Sequence, residues 1–346
     1  MAPTLLFDLR GKRVYVAGHT GLAGSAIARR LASEGCEVLI ATRTELDLTQ
    51  QDATERWIAK SKPDAIFLAA ARVGGIYAND AFPADFLADN LAIGVNVLRA
   101  ALAAKVKKLM FLGSSCVFPR NAPQPMTEDL LLTGALEPAN EWYAVAKIAG
   151  LKLAEAYRRQ FGADFISVMP TNLYGPEDNF DLGSSHVMPA LIRKAHEAKI
   201  NQQQEICIWG TGTPRREFLH VDDCANACVH LMKTYSAESH VNVGSGEDIT
   251  ILELAHLVSK VVGFRGKIRR DLTKPDGTPR KLLNVDKLRT LGWSPKIDLK
   301  EGIEDAYRSF LDGHYLERGS SKVMAGDVMG GSDIGLERAE SSALHV

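Results

Sequence analysis

One stretch near the N-terminus decides the fold: Lys12-Arg-Val-Tyr-Val-Ala-Gly18-His-Thr-Gly21-Leu-Ala-Gly24. Its first six residues form a short β-rich run that ends at the glycines, which predicts a buried strand. Residues 25–34 predict a helix that ends at Gly35, and residues 37–41 predict a second strand. A strand, a glycine loop, a helix and a strand in this order make one βαβ unit.

The glycine loop has the spacing G-x-x-G-x-x-G. Such glycines permit a tight turn and a close approach of backbone to a pyrophosphate at the helix N-terminus. An isolated glycine triplet is also compatible with an ordinary turn, but directly after a first strand it predicts a dinucleotide site. The second strand ends in Arg43 and no carboxylate, and a guanidinium suits a 2′-phosphate, so we expect NADP rather than NAD.

The alternation of strands and helices continues to residue 170. Further strands are predicted at 63–71, 107–113 and 163–169, and helices at 83–104 and from Tyr143 to about Gln160. This βαβαβ pattern predicts an α/β fold, a doubly wound parallel sheet of the Rossmann type.

The pattern changes after residue 176, where helices at 186–199 and 252–262 alternate with short strands and turn-rich loops. We expect a dinucleotide-binding domain over 1–175 with a returning segment at about 213–240. A smaller mixed α/β substrate lobe is expected over 176–318, and a mobile tail over 319–346.

Composition excludes several classes of protein. The chain has 346 residues and a net charge of −1, which gives no electrostatic reason to expect nucleic acid. No uninterrupted apolar run approaches about 18 residues, so no membrane span is expected. The N-terminus does not resemble a signal peptide, and the five cysteines are scattered without a CxxC pair. We therefore expect a cytoplasmic protein without disulfides or a metal site.

Glu141-Trp-Tyr-Ala-Val-Ala-Lys147 places Tyr143 and Lys147 one helical turn apart. Two such residues are usually surface residues. Beside a lysine, however, a phenol is expected to have a lowered pKa, which would make it a proton donor to a carbonyl. Gly113-Ser-Ser-Cys116 follows a predicted strand, and strand alternation would point Ser114 and Cys116 to the same side.

The glycine loop, Ser114, Tyr143 and Lys147 together resemble the extended short-chain dehydrogenase/reductase superfamily. Six stretches resemble more narrowly its GDP-L-fucose synthase family: residues 17–26, 68–76, 111–116, 169–176, 216–223 and 274–282. The resemblance covers roughly residues 11–316.

The resemblance implies an NADP-dependent oxidoreductase that also has epimerase activity. A GDP-4-keto-6-deoxy sugar would be inverted at C3 and C5 and then reduced at C4. Cys116 and His186 stand at the family's acid/base positions, Tyr143 with Lys147 would hold the C4 oxygen, and Ser114 would hydrogen-bond it. The unperturbed pKa values of a thiol, about 8.5, and an imidazole, about 6.5, suit proton exchange near neutrality.

The resemblance also implies two sets of binding residues. The cofactor set is Gly18, Thr20, Gly21, Leu22, Ala23, Gly24, Arg43, Leu112, Ser114, Ser115, Tyr143, Lys147, Pro170, Asn172, Leu173 and His186. The substrate set is Val187, Lys194, Trp209, Arg216, Asp276 and Lys281. Within the substrate set, Trp209 would stack on guanine, Arg216, Lys194 and Lys281 would meet the diphosphate, and Asp276 would accept hydrogen bonds from ribose or base.

Two alternatives remain open at this point. Another nucleotide-sugar enzyme of the superfamily, a 4-epimerase or 4,6-dehydratase, would need no external NADPH. A non-catalytic NADP-binding regulator would be expected to lack the Ser114, Tyr143 and Lys147 set, which is intact here. By analogy with the superfamily we also expect a homodimer.

Overall fold

The computed structural model describes residues 4–274 and 276–313, so the tail expected over 319–346 lies outside the described residues. The strands are β1 Arg13–Ala17, β2 Glu37–Leu39, β3 Ala65–Leu68, β4 Lys108–Leu112, β5 Phe165–Pro170, β6 Asn172–Tyr174, β7 Glu205–Trp209, β8 Arg215–His220, β9 Val241–Val243, β10 Asp248–Thr250, β11 Lys267–Asp271 and β12 Arg280–Lys281. The α-helices are α1 Leu22–Leu31, α2 Gln51–Ser61, α3 Ile76–Ala81, α4 Pro83–Ala103, α5 Glu141–Phe161, α6 Val187–Ile200, α7 Val221–Thr234, α8 Ile251–Val262, α9 Asp286–Thr290 and α10 Leu299–Leu311.

The main sheet has the strand order β2-β1-β3-β4-β5-β9. Each neighbouring pair is parallel, with Val14 opposite Ala65 in β3 and Leu109 opposite Phe165 in β5. Strands β3, β4 and β5 are buried along their whole length. Continuous apolar strands of this kind are typical of a parallel sheet covered on both faces, which confirms the predicted fold class.

Helices cover the sheet on both faces and form two cores. On one face α2, α4 and α5 bury residues such as Ile58, Val97 and Leu151. On the other face α1 and α7 bury Ile27 and Leu231, among others. This layering leaves the carboxyl ends of the strands open to a ligand, as in other doubly wound sheets.

The second lobe has its own core, formed by α6, α8 and α10. Its strands belong to small sheets: β7 pairs with β11, and β8 pairs with β6, β10 and β12. The chain returns to the main sheet through α7 and then through β9, Val241–Val243, which lies just beyond the returning segment expected at about 213–240. The two lobes are therefore interleaved in sequence.

Among the helices of the described residues, α4 alone is long and apolar enough to cross a membrane. It buries Gly94, Val97 and Leu98 in the protein, and Asp85 and Asp89 near its start pair with Arg72. A buried core helix has the same length and composition, so these features alone do not indicate a membrane span.

Candidate active site

Three parallel strands deliver the site residues to one edge of the main sheet. The glycine loop follows β1, Ser114 lies two residues after β4, and Pro170 is the last residue of β5. Because these strands are parallel neighbours or near neighbours, their carboxyl ends open into one cleft.

The glycine loop fits a dinucleotide. Gly18 has φ +86°, and a Cβ at this position would lie 2.6 Å from Ala70 Cα. A Cβ on Gly24 would lie 2.1 Å from Gly18 O, so only glycine permits this packing. Helix α1 begins at Leu22 with Gly21 as its N-cap, and no side chain caps it. The free N–H groups of its first turn, including those of Ala23, are therefore available to a phosphate.

The other predicted cofactor residues lie along the same edge. Thr20 is exposed, and Arg43 has a side chain that is 76% exposed, 4.0 Å from Asp47. The side chains of Leu112 and Ser115 are buried, so their contacts with a cofactor would come from backbone atoms. Asn172 Nδ2 donates to Glu217 O at 2.7 Å, and Leu173 packs partly into the core.

Ser114 and Cys116 do converge, but the predicted reason was wrong. Strand β4 ends at Leu112, and residues 115–117 form a 3-10 turn with Ser114 as its N-cap. Ser114 Oγ accepts a hydrogen bond from Cys116 N at 3.4 Å. A capping turn, rather than strand alternation, holds the two side chains together.

The expected lowering of the pKa of Tyr143 by Lys147 is also wrong. Lys147 Nζ donates to Leu112 O at 2.9 Å and lies 5.6 Å from the centre of the Tyr143 ring. Burial raises the pKa of Tyr143 well above its usual value, and the nearby Cys116 raises it further. Burial lowers the pKa of Lys147 to about 8. Tyr143 is therefore a protonated phenol, which suits a proton donor.

Cys116 is 5% exposed and lies within electrostatic reach of two cations. Burial raises the pKa of its thiol, while the ammonium groups of Lys281 and Lys147 oppose that shift. The thiol is therefore neutral at physiological pH, and the surrounding cations would stabilise a thiolate formed transiently.

His186 is the N-cap residue of α6, and its side chain makes no capping hydrogen bond. Its imidazole is open to the cleft, yet the surrounding protein limits hydration and lowers its pKa, and the Lys281 ammonium lowers it further. His186 is therefore a neutral base. Lys281 influences both His186 and Cys116, which places all three in one electrostatic neighbourhood.

The substrate side of the cleft is built on α6, β7, β8 and β12. Val187 is the first residue of α6 and packs against the core of the second lobe. Lys194 Nζ donates to Cys207 O at 3.2 Å, so this lysine ties α6 to β7. Trp209 ends β7 with 59% of its surface exposed, which leaves its indole available for stacking.

Arg216 and Lys281 are paired residues of the parallel strands β8 and β12. Arg216 Nη1 donates to Arg215 O at 2.8 Å and to Thr278 O at 2.6 Å, and burial lowers its pKa. Two cations at neighbouring positions are a suitable site for a diphosphate. Asp276 accepts from Thr211 N at 2.9 Å and from Thr211 Oγ1 at 2.7 Å, so its carboxylate also fixes the turn after Trp209.

The sequence interpretation missed Glu217. This carboxylate is fully buried beside Arg216 in the chain, and burial raises its pKa. One oxygen accepts from Gly246 N at 2.7 Å and the other from Leu283 N at 2.9 Å. Glu217 thus holds β8 against the segment that carries Lys281. The feature of the sequence that could have indicated Glu217 is an acidic residue directly before the apolar pair Phe218-Leu219.

The arrangement combines two chemical sets in one cleft. Ser114 and Tyr143 are neutral donors that can meet a carbonyl oxygen, and Cys116 and His186 are neutral groups that can exchange protons with carbon acids beside it. Binding groups for a dinucleotide lie on one side, and an exposed indole with two cations lies on the other.

Comparison with known proteins agrees with this geometry. Residues 14–244 match the NAD dependent epimerase/dehydratase family. A GDP-L-fucose synthase from Sinorhizobium fredii is 58% identical over 88% of this chain and 98% of the relative. The GDP-L-fucose synthase of Escherichia coli is 51% identical over 89% of this chain and 99% of its own. The solved structure of a GDP-L-fucose synthetase from Naegleria fowleri bound to NADP matches with a TM-score of 0.81 at 28% identity, covering 90% of this chain and 97% of that one. The chain therefore belongs to the NAD dependent epimerase/dehydratase family, in its GDP-L-fucose synthase branch.

Proposed function

We propose that this protein converts GDP-4-keto-6-deoxy-D-mannose to GDP-L-fucose, by inversion at C3 and C5 and NADPH-dependent reduction at C4. The observation that carries the proposal is the convergence of Cys116 with Ser114 and Tyr143 at the end of β4, within the electrostatic reach of Lys281. A simple ketone reductase needs the Ser114 and Tyr143 pair but has no use for a second proton-transfer couple.

Inversion begins at the carbons that flank the ketone, because their protons are acidified by the C4 carbonyl. His186, as a neutral imidazole, can remove a proton, and the protonated Cys116 thiol can return one to the opposite face. Tyr143 and Ser114 stabilise the charge that develops on the C4 oxygen meanwhile. This division of roles is part of the proposal.

Reduction uses the same oxygen. NADPH, when bound, supplies the hydride that reduces the C4 ketone. Tyr143 protonates the C4 oxygen, which is consistent with the raised pKa that keeps its phenol protonated. Lys147 lies one turn away, with its ammonium close to the end of β4. One tyrosine can serve both reactions because negative charge develops on one oxygen in both.

The cofactor and substrate assignments rest on separate features. For NADP(H), support comes from the glycine loop, from the exposed Arg43, and from the Naegleria fowleri relative whose structure is described as bound to NADP. For a GDP-sugar, support comes from the exposed Trp209, from the Arg216 and Lys281 pair, and from relatives named GDP-L-fucose synthase.

The test is to supply GDP-4-keto-6-deoxy-D-mannose and NADPH, then to follow nicotinamide absorbance and identify the sugar by NMR. We expect stoichiometric NADPH oxidation and GDP-L-fucose. Conversion of the sugar without NADPH oxidation would instead indicate a 4-epimerase or dehydratase, and NADPH binding without any turnover would indicate a regulator. As a control, Tyr143→Phe should bind GDP normally but lose most of the turnover.

A cytoplasmic location and a homodimer are further parts of the proposal. All five cysteines are free, which is compatible with a reducing compartment. Helix α5 exposes the apolar residues Trp142, Val145 and Phe161, which would be covered by a second copy of the chain. Light scattering during gel filtration tests the dimer: a monomeric mass at micromolar concentration would exclude it.

A further inference from the structure

A lysine ammonium lies near the indole on which the nucleotide base is proposed to stack. Lys274 Nζ lies 5.6 Å from the centre of the Trp209 ring, which is 59% exposed. Strand pairing explains the position: Trp209 ends β7 opposite Asp271, the last residue of β11. The backbone N–H of Lys274 then donates to Asp271 O at 3.2 Å in the following turn.

The loops that carry the two residues are fastened to each other. Asp276, two residues beyond Lys274, accepts both a backbone and a side-chain hydrogen bond from Thr211, two residues beyond Trp209. Lys274 therefore belongs to the same local framework as the indole and is held beside it before any ligand binds.

The ammonium of Lys274 keeps its hydrogen-bond donors available to a ligand, while its charge acts on the neighbouring Asp271 carboxylate. Within residues 4–274 and 276–313, its Nζ has a cation–π contact with Trp209 and no hydrogen-bonding partner. An ammonium has three donors and no acceptor. A planar base that stacks on the indole would bring its edge to this donor group.

The donor group distinguishes between bases. Guanine presents two acceptors, O6 and N7, along one edge, and lysine or arginine commonly donates to that pair. Adenine replaces O6 with an amino group, which is a donor and would oppose the ammonium. Uracil lacks the N7 acceptor and stacks over a smaller area.

We propose that Lys274 selects guanine by donating to its O6 and N7 edge while the base stacks on Trp209. The inference rests on the proposed function, because it needs a nucleotide on the Trp209 surface. It adds a residue that determines the base, whereas Arg216 and Lys281 are proposed to meet the diphosphate, which all nucleoside diphosphates share.

Titration calorimetry of the full chain with GDP, IDP, ADP and UDP tests the inference. The wild type should bind GDP more tightly than ADP and UDP. Lys274→Met should weaken both GDP and IDP by about tenfold, because both carry O6 and N7 and lose a charge-assisted hydrogen bond. ADP binding should be unchanged or slightly tighter, because the adenine amino group would no longer face an ammonium. Lys267→Met, at the exposed far end of β11, removes the same charge and should change none of the four affinities.

The outcomes separate the two proposals. If the wild type prefers GDP and Lys274→Met keeps the same preference, the role of Lys274 is wrong while the GDP-sugar substrate stands. An equal loss for all four nucleotides would also overturn base selection, since it would show a general cation near the diphosphate. A wild type that binds ADP or UDP as tightly as GDP would overturn both proposals. Trp209→Leu should weaken GDP and ADP by similar factors, and an unchanged affinity would exclude the stacking surface.

Discussion

Lys281 shows how one side chain can serve two parts of a site. It lies opposite Arg216 across a strand pair, where a diphosphate is proposed to bind. The same ammonium opposes the rise that burial causes in the pKa of Cys116, and it adds to the lowering that burial causes in the pKa of His186. Its positive charge favours a transient thiolate and keeps the imidazole neutral.

Replacement of Lys281 by methionine should raise the pKa of His186. In the wild type, burial and the Lys281 ammonium lower the pKa of His186. Loss of this cation should therefore move the titration of His186 to higher pH. NMR titration of the imidazole protons, with His186→Asn for assignment, measures the shift. His240, whose pKa is lowered to about 4 by burial and by Lys287 and Lys152, is the internal control. An unchanged His186 titration would contradict the role given to Lys281.

Arg43 is the residue expected to distinguish NADPH from NADH. Its guanidinium is exposed in the loop between β2 and α2, with Asp47 at 4.0 Å as a weak partner. Arg43→Ala should weaken NADPH by about tenfold or more, the usual effect of losing a charge-assisted hydrogen bond, and should leave NADH nearly unchanged. Fluorescence titration with both nucleotides measures this difference. Equal losses would mean that another group binds the 2′-phosphate.

At the scale of elements, β4, β5, α5 and α7 meet at a charged junction. Lys108 is fully buried in β4, and its Nζ donates to Asp164 Oδ2 at 2.8 Å and to Tyr235 O at 2.6 Å. Arg158 Nη1 and Ser236 Oγ both donate to the other oxygen of Asp164 at 2.7 Å. The acid thus has three partners, whereas the buried lysine has no other carboxylate in the described residues.

This asymmetry predicts unequal mutational costs. Asp164→Ala should lower the free energy of unfolding by about 3–5 kcal/mol, because it leaves a buried ammonium without its counter-charge. Lys108→Met should lower the free energy of unfolding by only about 1–3 kcal/mol, mainly because the buried carbonyl of Tyr235 loses its hydrogen-bond donor. Lys107→Met, which removes the exposed neighbour paired with Asp64, should cost less than about 1 kcal/mol. Urea unfolding checks the order, and equal costs for the first two variants would contradict it.

The elements also show what sequence patterns can and cannot predict. Strands β3, β4 and β5 were predicted because each is a buried apolar run. Strands β6, β10 and β12 have only two or three residues and are defined by their pairing with β8. Because β8 is distant from them in sequence, no local sequence pattern predicts this pairing. The turn at Ser114 was missed for a related reason, since a capping hydrogen bond rather than periodicity ends β4.

At the scale of the whole molecule, the cleft is assembled from parts that are far apart in sequence. The glycine loop, the end of β4 and α5 come from the main sheet, while α6, β7 and β12 come from the second lobe. The sequence identified the residue types on both sides, but the environment of Tyr143 depends on how the folded protein encloses its side chain against the core of the main sheet. Its raised pKa, contrary to the expected lowering, is a property of that enclosure.

The central claim is that one cleft inverts two carbons and reduces a third. The most direct test is to run the complete reaction in D2O with ordinary NADPH and to examine the product by NMR. We predict GDP-L-fucose with deuterium at C3 and C5, because the acid that returns each proton exchanges with solvent, and with ordinary hydrogen at C4. A product that lacks deuterium at C3 and C5 while NADPH is consumed would contradict the claim.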